Sequence, residues 1–233
     1  MSNSTDSKNL VGQQANKNVI TGVIFGFVIV IVAVIVSMVS CRPTTTPAPR
    51  PSEEAIVVIG IDRSGSTEVQ RPAQREAAEA ATFFADENRI KLGFYAVDKK
   101  AVSIQEPGTL APGLPESVAT ELDTKPKSRS TGTRPLAFWR EMKERFGNNE
   151  YPTYIAYLTD GGNDFAADTD EITSTLRSLA DNPNIHVAIL GVAPDLLTDV
   201  RRDLAPFESR GKQSVRNDQA LRSELMTFLG DLE

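Results

Sequence analysis

One cysteine, Cys41, and one histidine, His186, occur in 233 residues. A single cysteine allows no intrachain disulfide, and together the two cannot build a Cys/His zinc site. Any metal this chain binds must therefore be held by oxygen. Aromatic residues make up only 6% of the sequence, which leaves few platforms for stacking the bases of a single strand. Basic charge is also short: 25 Lys and Arg face 31 Asp and Glu, a net of -6. That is the wrong sign for a phosphate backbone and argues against a nucleic-acid partner. No internal repeat is present, and no glycine-rich dinucleotide fingerprint follows any apolar run. A Gly-x-Ser-x-Gly elbow is missing, and with it the ordinary serine-hydrolase nucleophile. Gly211-Lys212-Gln213-Ser214 has neither the upstream glycine nor the hydroxyl directly after lysine that a phosphate loop needs. No small-molecule substrate is expected.

What the chain does have begins with an uncharged run from Val19 to Val39 dominated by Val and Ile. As a helix it spans roughly 30 Å, the thickness of a bilayer's hydrocarbon. The organisation read from this is a polar N-terminal tail (1–18), a single transmembrane signal anchor (19–40), a Pro/Thr-rich linker (41–54) and a domain (55–233). Met38-Val39-Ser40-Cys41 also resembles a bacterial lipoprotein processing site, although the apolar stretch is longer than a cleaved signal usually carries. Either anchor places the domain outside the cytoplasm at the cell membrane. Lys8 and Lys17 on one side balance Arg42 and Arg50 on the other, so the positive-inside rule does not fix the orientation. Pro43, Pro47, Pro49 and Pro51 make the linker an extended stalk.

From Ala55 the period switches between short apolar strands and amphipathic helices. That pattern predicts an α/β fold with a doubly wound, mostly parallel sheet. Ala55 to Ile61 reads as a central strand. Pro72 suits the first turn of a helix carrying Ala77, Ala80, Ala81 and Phe84. Ile90 to Val97 and Ala101 to Gln105 form a hairpin and supply one antiparallel strand, and a long loop follows from Glu106 to Ser130. Leu136, Trp139, Met142 and Phe146 mark the next helix, closed by Gly147, with Trp139 in the core. Strands at Tyr151 to Thr159 and Asn184 to Val192, helices around Ile172 to Leu179 and Leu197 to Leu204, and a short edge strand at Gln213 to Val215 come next. A last helix runs through Leu221, Leu225 and Phe228, capped by Asn217 or Asp218.

In open sheets of this kind ligands bind beyond the carboxyl ends of the strands. There the sequence places Asp62-Arg63-Ser64-Gly65-Ser66 after the first strand and Tyr157-Leu158-Thr159-Asp160-Gly161-Gly162 after another. Ser130-Thr131-Gly132-Thr133-Arg134-Pro135 precedes a helix. Two carboxylates with several neutral hydroxyls form a hard-oxygen donor set suited to Mg²⁺ or Mn²⁺. Taken singly, each residue also suits an ordinary turn or helix cap. Arg63 reads as exposed or as a residue that tunes partner choice, and His186 as structural. A haloacid dehalogenase-like phosphatase needs a second aspartate where Ser64 stands. A metal-dependent hydrolase using Asp62 and Asp160, and a structural subunit of a membrane complex, remain as other readings.

This constellation resembles the von Willebrand factor A domain family and its metal-ion-dependent adhesion site. Asp62, Ser64 and Ser66 match its Asp-x-Ser-x-Ser motif, Thr133 after Gly132 its separate threonine, and Asp160 the aspartate of its Thr-Asp-Gly motif. Thr131 offers an alternative register, and Phe138-Trp139 stands where many members carry a small residue followed by Leu or Ile. The resemblance implies a non-enzymatic domain binding Mg²⁺ (or Mn²⁺) through Asp62, Ser64, Ser66, Thr133 and Asp160, which the apolar run at 19–40 would tether to the membrane. It further implies a protein ligand that presents an Asp or Glu to the metal, with the hydroxyls binding directly and the aspartates often through water.

Overall fold

The computed structural model describes residues 54–124 and 132–232. The tail, the 19–40 anchor, Cys41, all of the linker but Glu54, and Ser130 and Thr131 lie outside the described residues. Among the described residues no helix is long and apolar enough to cross a membrane.

Six strands form one sheet in the order β3-β2-β1-β4-β5-β6: β1 (Ile56–Asp62), β2 (Lys91–Val97), β3 (Ala101–Gly108), β4 (Thr153–Leu158), β5 (Ile185–Val192) and β6 (Gly211–Val215). All neighbours are parallel except β2 and β3, which form the expected hairpin. β1 and β4 lie side by side in the middle, and from there the chain winds outward in opposite directions. Their carboxyl ends therefore flank the point where an open sheet leaves a crevice.

The helices are α1 (Arg71–Asn88), α2 (Leu114–Asp123), α3 (Pro135–Phe146), α4 (Thr169–Ala180), α5 (Leu197–Leu204) and α6 (Leu221–Gly230). Strand periodicity divides the core. Val57, Ile59 and Ile61 pack with Ala77, Ala81, Val118, Leu122 and Leu225 on the α1/α2/α6 face. Val58, Tyr95, Ile155 and Tyr157 pack with Phe138, Trp139, Leu176 and Val200 on the α3/α4/α5 face. Because both faces are covered, the compact unit Pro49–Glu233 closes its own core.

Gly60 shows why phenylalanine fits at position 138. A Cβ at Gly60 would lie 2.7 Å from the Phe138 ring, so the missing side chain on β1 is the space the ring occupies. Phe138 stacks on Tyr157 at 5.1 Å between centroids and touches Trp139 at 5.0 Å. The departure from a small residue in this helix is thus balanced in the neighbouring strand.

Two expectations need correction. The segment from Glu106 to Ser130 is not one long loop: β3 continues to Gly108, and α2 follows. Gly113 turns the chain with φ +71, a conformation glycine adopts freely, and Leu114, Val118 and Leu122 then bury one face four residues apart. Nor do Asn217 and Asp218 cap α6 with their side chains. The residue before the helix is Ala220, and it is the Asn217 carbonyl that accepts from the Ala220 and Leu221 N–H groups.

Candidate metal centre

Asp62 ends β1 and is fully buried. Its Oδ1 accepts from the Ser64 N–H at 2.8 Å and the Thr133 hydroxyl at 3.0 Å, and its Oδ2 from the Thr159 hydroxyl at 2.7 Å. All three donors are neutral. Among the described residues no ion pair reaches Asp62, and burial pushes its carboxyl from 3.8 up to about 6, with nearby Asp160 adding a smaller push in the same direction. A buried carboxylate left with neutral partners is a costly arrangement that a cation would relieve.

Oxygens gather around it. The tight turn after β1 brings the Ser64 and Ser66 hydroxyls within 3.0 Å of each other; Ser64 is buried and Ser66 exposed. Thr133, 1% exposed, stands just before α3, whose Pro135 occupies the first turn. Asp160, 8% exposed, follows β4, and its Oδ1 accepts from Gly162 N–H at 2.9 Å. Among the described residues no group of three or more His, Cys, Asp or Glu side chains could hold an ion, so a metal here depends on the serine and threonine hydroxyls. This donor set fits a hard divalent cation and suits a soft one poorly.

Residues beyond the motif hold this arrangement. Thr67 donates its hydroxyl to the carbonyls of Asp62 (2.9 Å) and Ser64 (3.0 Å). Gln74 donates to the carbonyls of Asp62 and Leu158, joining the ends of β1 and β4. Gln70 donates to the Gly191 carbonyl of β5. Gln70 immediately precedes α1 and Gln74 lies in its first turn. Both are buried in register with Ala77, Ala78 and Ala81, and a polar residue at an apolar position is the signal available in the sequence. Thr159 stands within the Thr-Asp-Gly motif itself.

Arg63 is not exposed. It is 7% exposed, and its guanidinium bridges Asp98 at 2.9 Å and Glu121, tying the turn after β1 to the hairpin and to α2. Its charge is taken up inside the fold and is not available to tune a partner. Arg63→Met is expected to lower stability by about 2 kcal/mol, the range for charge-assisted bonds between partly buried groups. Thermal melts in Mn²⁺ and in chelator check this: both should fall together, leaving the metal response intact.

His186 lies at the start of β5, at the opposite end of the parallel strands from Asp62. It stacks on Tyr154 at 4.4 Å, and burial lowers its pKa. The chain's one imidazole is therefore a packing group, out of reach of Ser64 and Ser66.

No family model and no curated protein matches the sequence. Solved structures do match in fold. Proximal thread matrix protein 1 from the mussel byssus has a TM-score of 0.56 at 12% identity, over 77% of this chain and 48% of its own; this chain thus spans about half that protein's length. A second structure of it has a zinc-occupied MIDAS motif. An aerotolerance-related membrane protein from Bacteroides fragilis has a TM-score of 0.57 at 15% identity, over 76% of this chain and 98% of its own. For the SpRpn10 VWA domain the values are 0.55 and 11%, over 75% of this chain and 94% of its own. The six-stranded sheet with one antiparallel pair and these neighbours agree: the described part of the chain has the von Willebrand factor A fold.

Proposed function

We propose that the protein is a membrane-tethered domain that binds a protein partner through a divalent cation held by Asp62, Ser64, Ser66, Thr133 and Asp160, with no catalysis of its own. The observation that carries this reading is the buried Asp62 carboxylate, held by neutral donors alone and ringed by hydroxyl oxygens. A bound Mg²⁺ or Mn²⁺ would supply a hard Lewis-acid centre able to take a carboxylate oxygen from a partner's Asp or Glu. The chain's own groups do the rest. Asp62 supplies buried negative charge. The three hydroxyls add dipoles without charge, which preserves attraction for an incoming anion. The zinc-occupied MIDAS motif of a neighbour of the same fold supports a cation at this position.

Tethering through residues 19–40, with the domain outside the cytoplasm, completes the proposal. It rests on the apolar run and the proline-rich stalk that follows. Protease added to intact cells with a permeabilised outer layer is expected to digest the domain; digestion only after lysis reverses the orientation. Mass spectrometry at Cys41 distinguishes a lipidated N-terminus from an uncleaved anchor. For partner binding, a pull-down in millimolar Mn²⁺ is compared with one in chelator and one with Asp62→Asn. A protein retained only by the wild type in Mn²⁺ supports adhesion through the metal. Retention indifferent to both changes transfers the reading to a structural subunit.

A further inference from the structure

We propose that Asp164 is a positioning residue for the metal centre, holding Thr133 in place through its main chain; the inference deepens the metal-binding reading and rests on it. Asp164 lies outside the Asp-x-Ser-x-Ser and Thr-Asp-Gly motifs and is exposed. Its Oδ2 accepts the Thr133 N–H at 2.6 Å, and its own N–H donates to the Thr133 carbonyl at 3.2 Å. Both main-chain polar groups of Thr133 are thereby committed to one residue, while the Thr133 hydroxyl reaches Asp62 at 3.0 Å. With its N–H, carbonyl and hydroxyl all engaged, Thr133 is pinned in the orientation that points its oxygen at the candidate site.

The neighbouring residue makes room for this clip. A Cβ on Gly132 would stand 3.1 Å from both the Cβ and the Oδ2 of Asp164, closer than side-chain carbons normally approach. The glycine at 132 lets the carboxylate of Asp164 come close to the Thr133 amide. Beyond the clip, Arg134 grips Asp168 through two bonds of 2.6 and 3.1 Å and lies 5.3 Å from the Phe165 ring. These contacts join the segment after Asp160 to the segment carrying Thr133, fixing two metal-site loops relative to each other.

An exposed aspartate contributes little to global stability, yet a short charge-assisted bond to a main-chain amide fixes geometry well. Groups that orient metal ligands from outside the coordination shell commonly change metal affinity by about 10–100-fold when removed. The test uses the unit Pro49–Glu233, Mn²⁺ calorimetry, melting in chelator, and hydrogen exchange of the Thr133 amide in chelator. Asp164→Ala is expected to weaken Mn²⁺ about 10-fold and to speed exchange at Thr133, with little change in melting. Asp164→Asn loses the same charge but keeps an oxygen that accepts the bond, and should stay within about 3-fold of wild type. Gly132→Ala should weaken Mn²⁺ in the same direction as Asp164→Ala. If Asp164→Ala binds Mn²⁺ like wild type, or Asp164→Asn falls as far as Asp164→Ala, the positioning role is overturned while the metal site stands. If wild type binds no Mn²⁺, the metal reading fails and the positioning role fails with it.

Discussion

Asp62→Asn is expected to do two opposite things: raise the melting temperature in chelator and abolish the stabilisation by Mg²⁺ or Mn²⁺. The first follows from the burial of an ionised carboxyl. Moving it from 3.8 to about 6 corresponds to about 3 kcal/mol of lost stability at neutral pH. Asparagine removes the charge and still accepts from Ser64 and Thr133, but it sets an NH₂ against the Thr159 hydroxyl. A net gain of about 1–2 kcal/mol remains, or about 3–6 °C for a domain of this size. The sign with pH is fixed by the same shift. A carboxyl raised in the folded state regains stability as pH falls through about 6, so in chelator the advantage of the variant should shrink between about pH 7 and pH 5. The second effect is loss of linkage: at about a hundredfold excess over its dissociation constant a ligand adds about 2.7 kcal/mol, and the variant should show none of it. A residue kept for stability behaves in the opposite way, so a variant less stable in chelator contradicts the assignment.

Phe138→Ala carries the other large effect, a loss of about 3–5 kcal/mol. The ring is fully buried among Tyr95, Trp139 and Tyr157, and β1 offers only Gly60 beneath it, so nothing can move in to fill the space. Gly60→Ala is expected to be destabilising on its own, because its new carbon meets the ring at 2.7 Å and overpacking of this kind costs about 1–3 kcal/mol. In a Phe138→Leu background the same alanine should cost less. Denaturant melts of wild type, Gly60→Ala, Phe138→Leu and the double variant give the coupling, and strict additivity would show that the two residues do not share the space.

The elements read most directly from the sequence are those whose signal is local. The continuous apolar run of β1, the largely apolar runs of β4 and β5, the charged turn of the β2–β3 hairpin, and the spacing of Leu136, Trp139, Met142 and Phe146 are each local patterns of burial and exposure. α2 is hidden because Gly113 and Pro115 punctuate its start and only three buried apolar residues, Leu114, Val118 and Leu122, mark its face. Arg63 reads as exposed because its partners stand 35 and 58 residues away. The motif residues of the site are legible because Asp62, Ser64, Ser66 and Asp160 directly follow the apolar runs of β1 and β4, and Thr133 stands at a helix entrance before Pro135. Its supports are not: the Asp164 bond to Thr133 spans 31 residues, and the Gln74 bridge joins two strands that meet only in the folded sheet.

The most direct measurement is an anomalous difference map from crystals of Pro49–Glu233 grown in millimolar Mn²⁺. The expected result is one strong peak within coordination distance of the Ser64, Ser66 and Thr133 hydroxyl oxygens, directly or through water at Asp62 and Asp160. A map with no peak there, or with Mn²⁺ bound elsewhere on the domain, contradicts the metal site on which the proposed function depends.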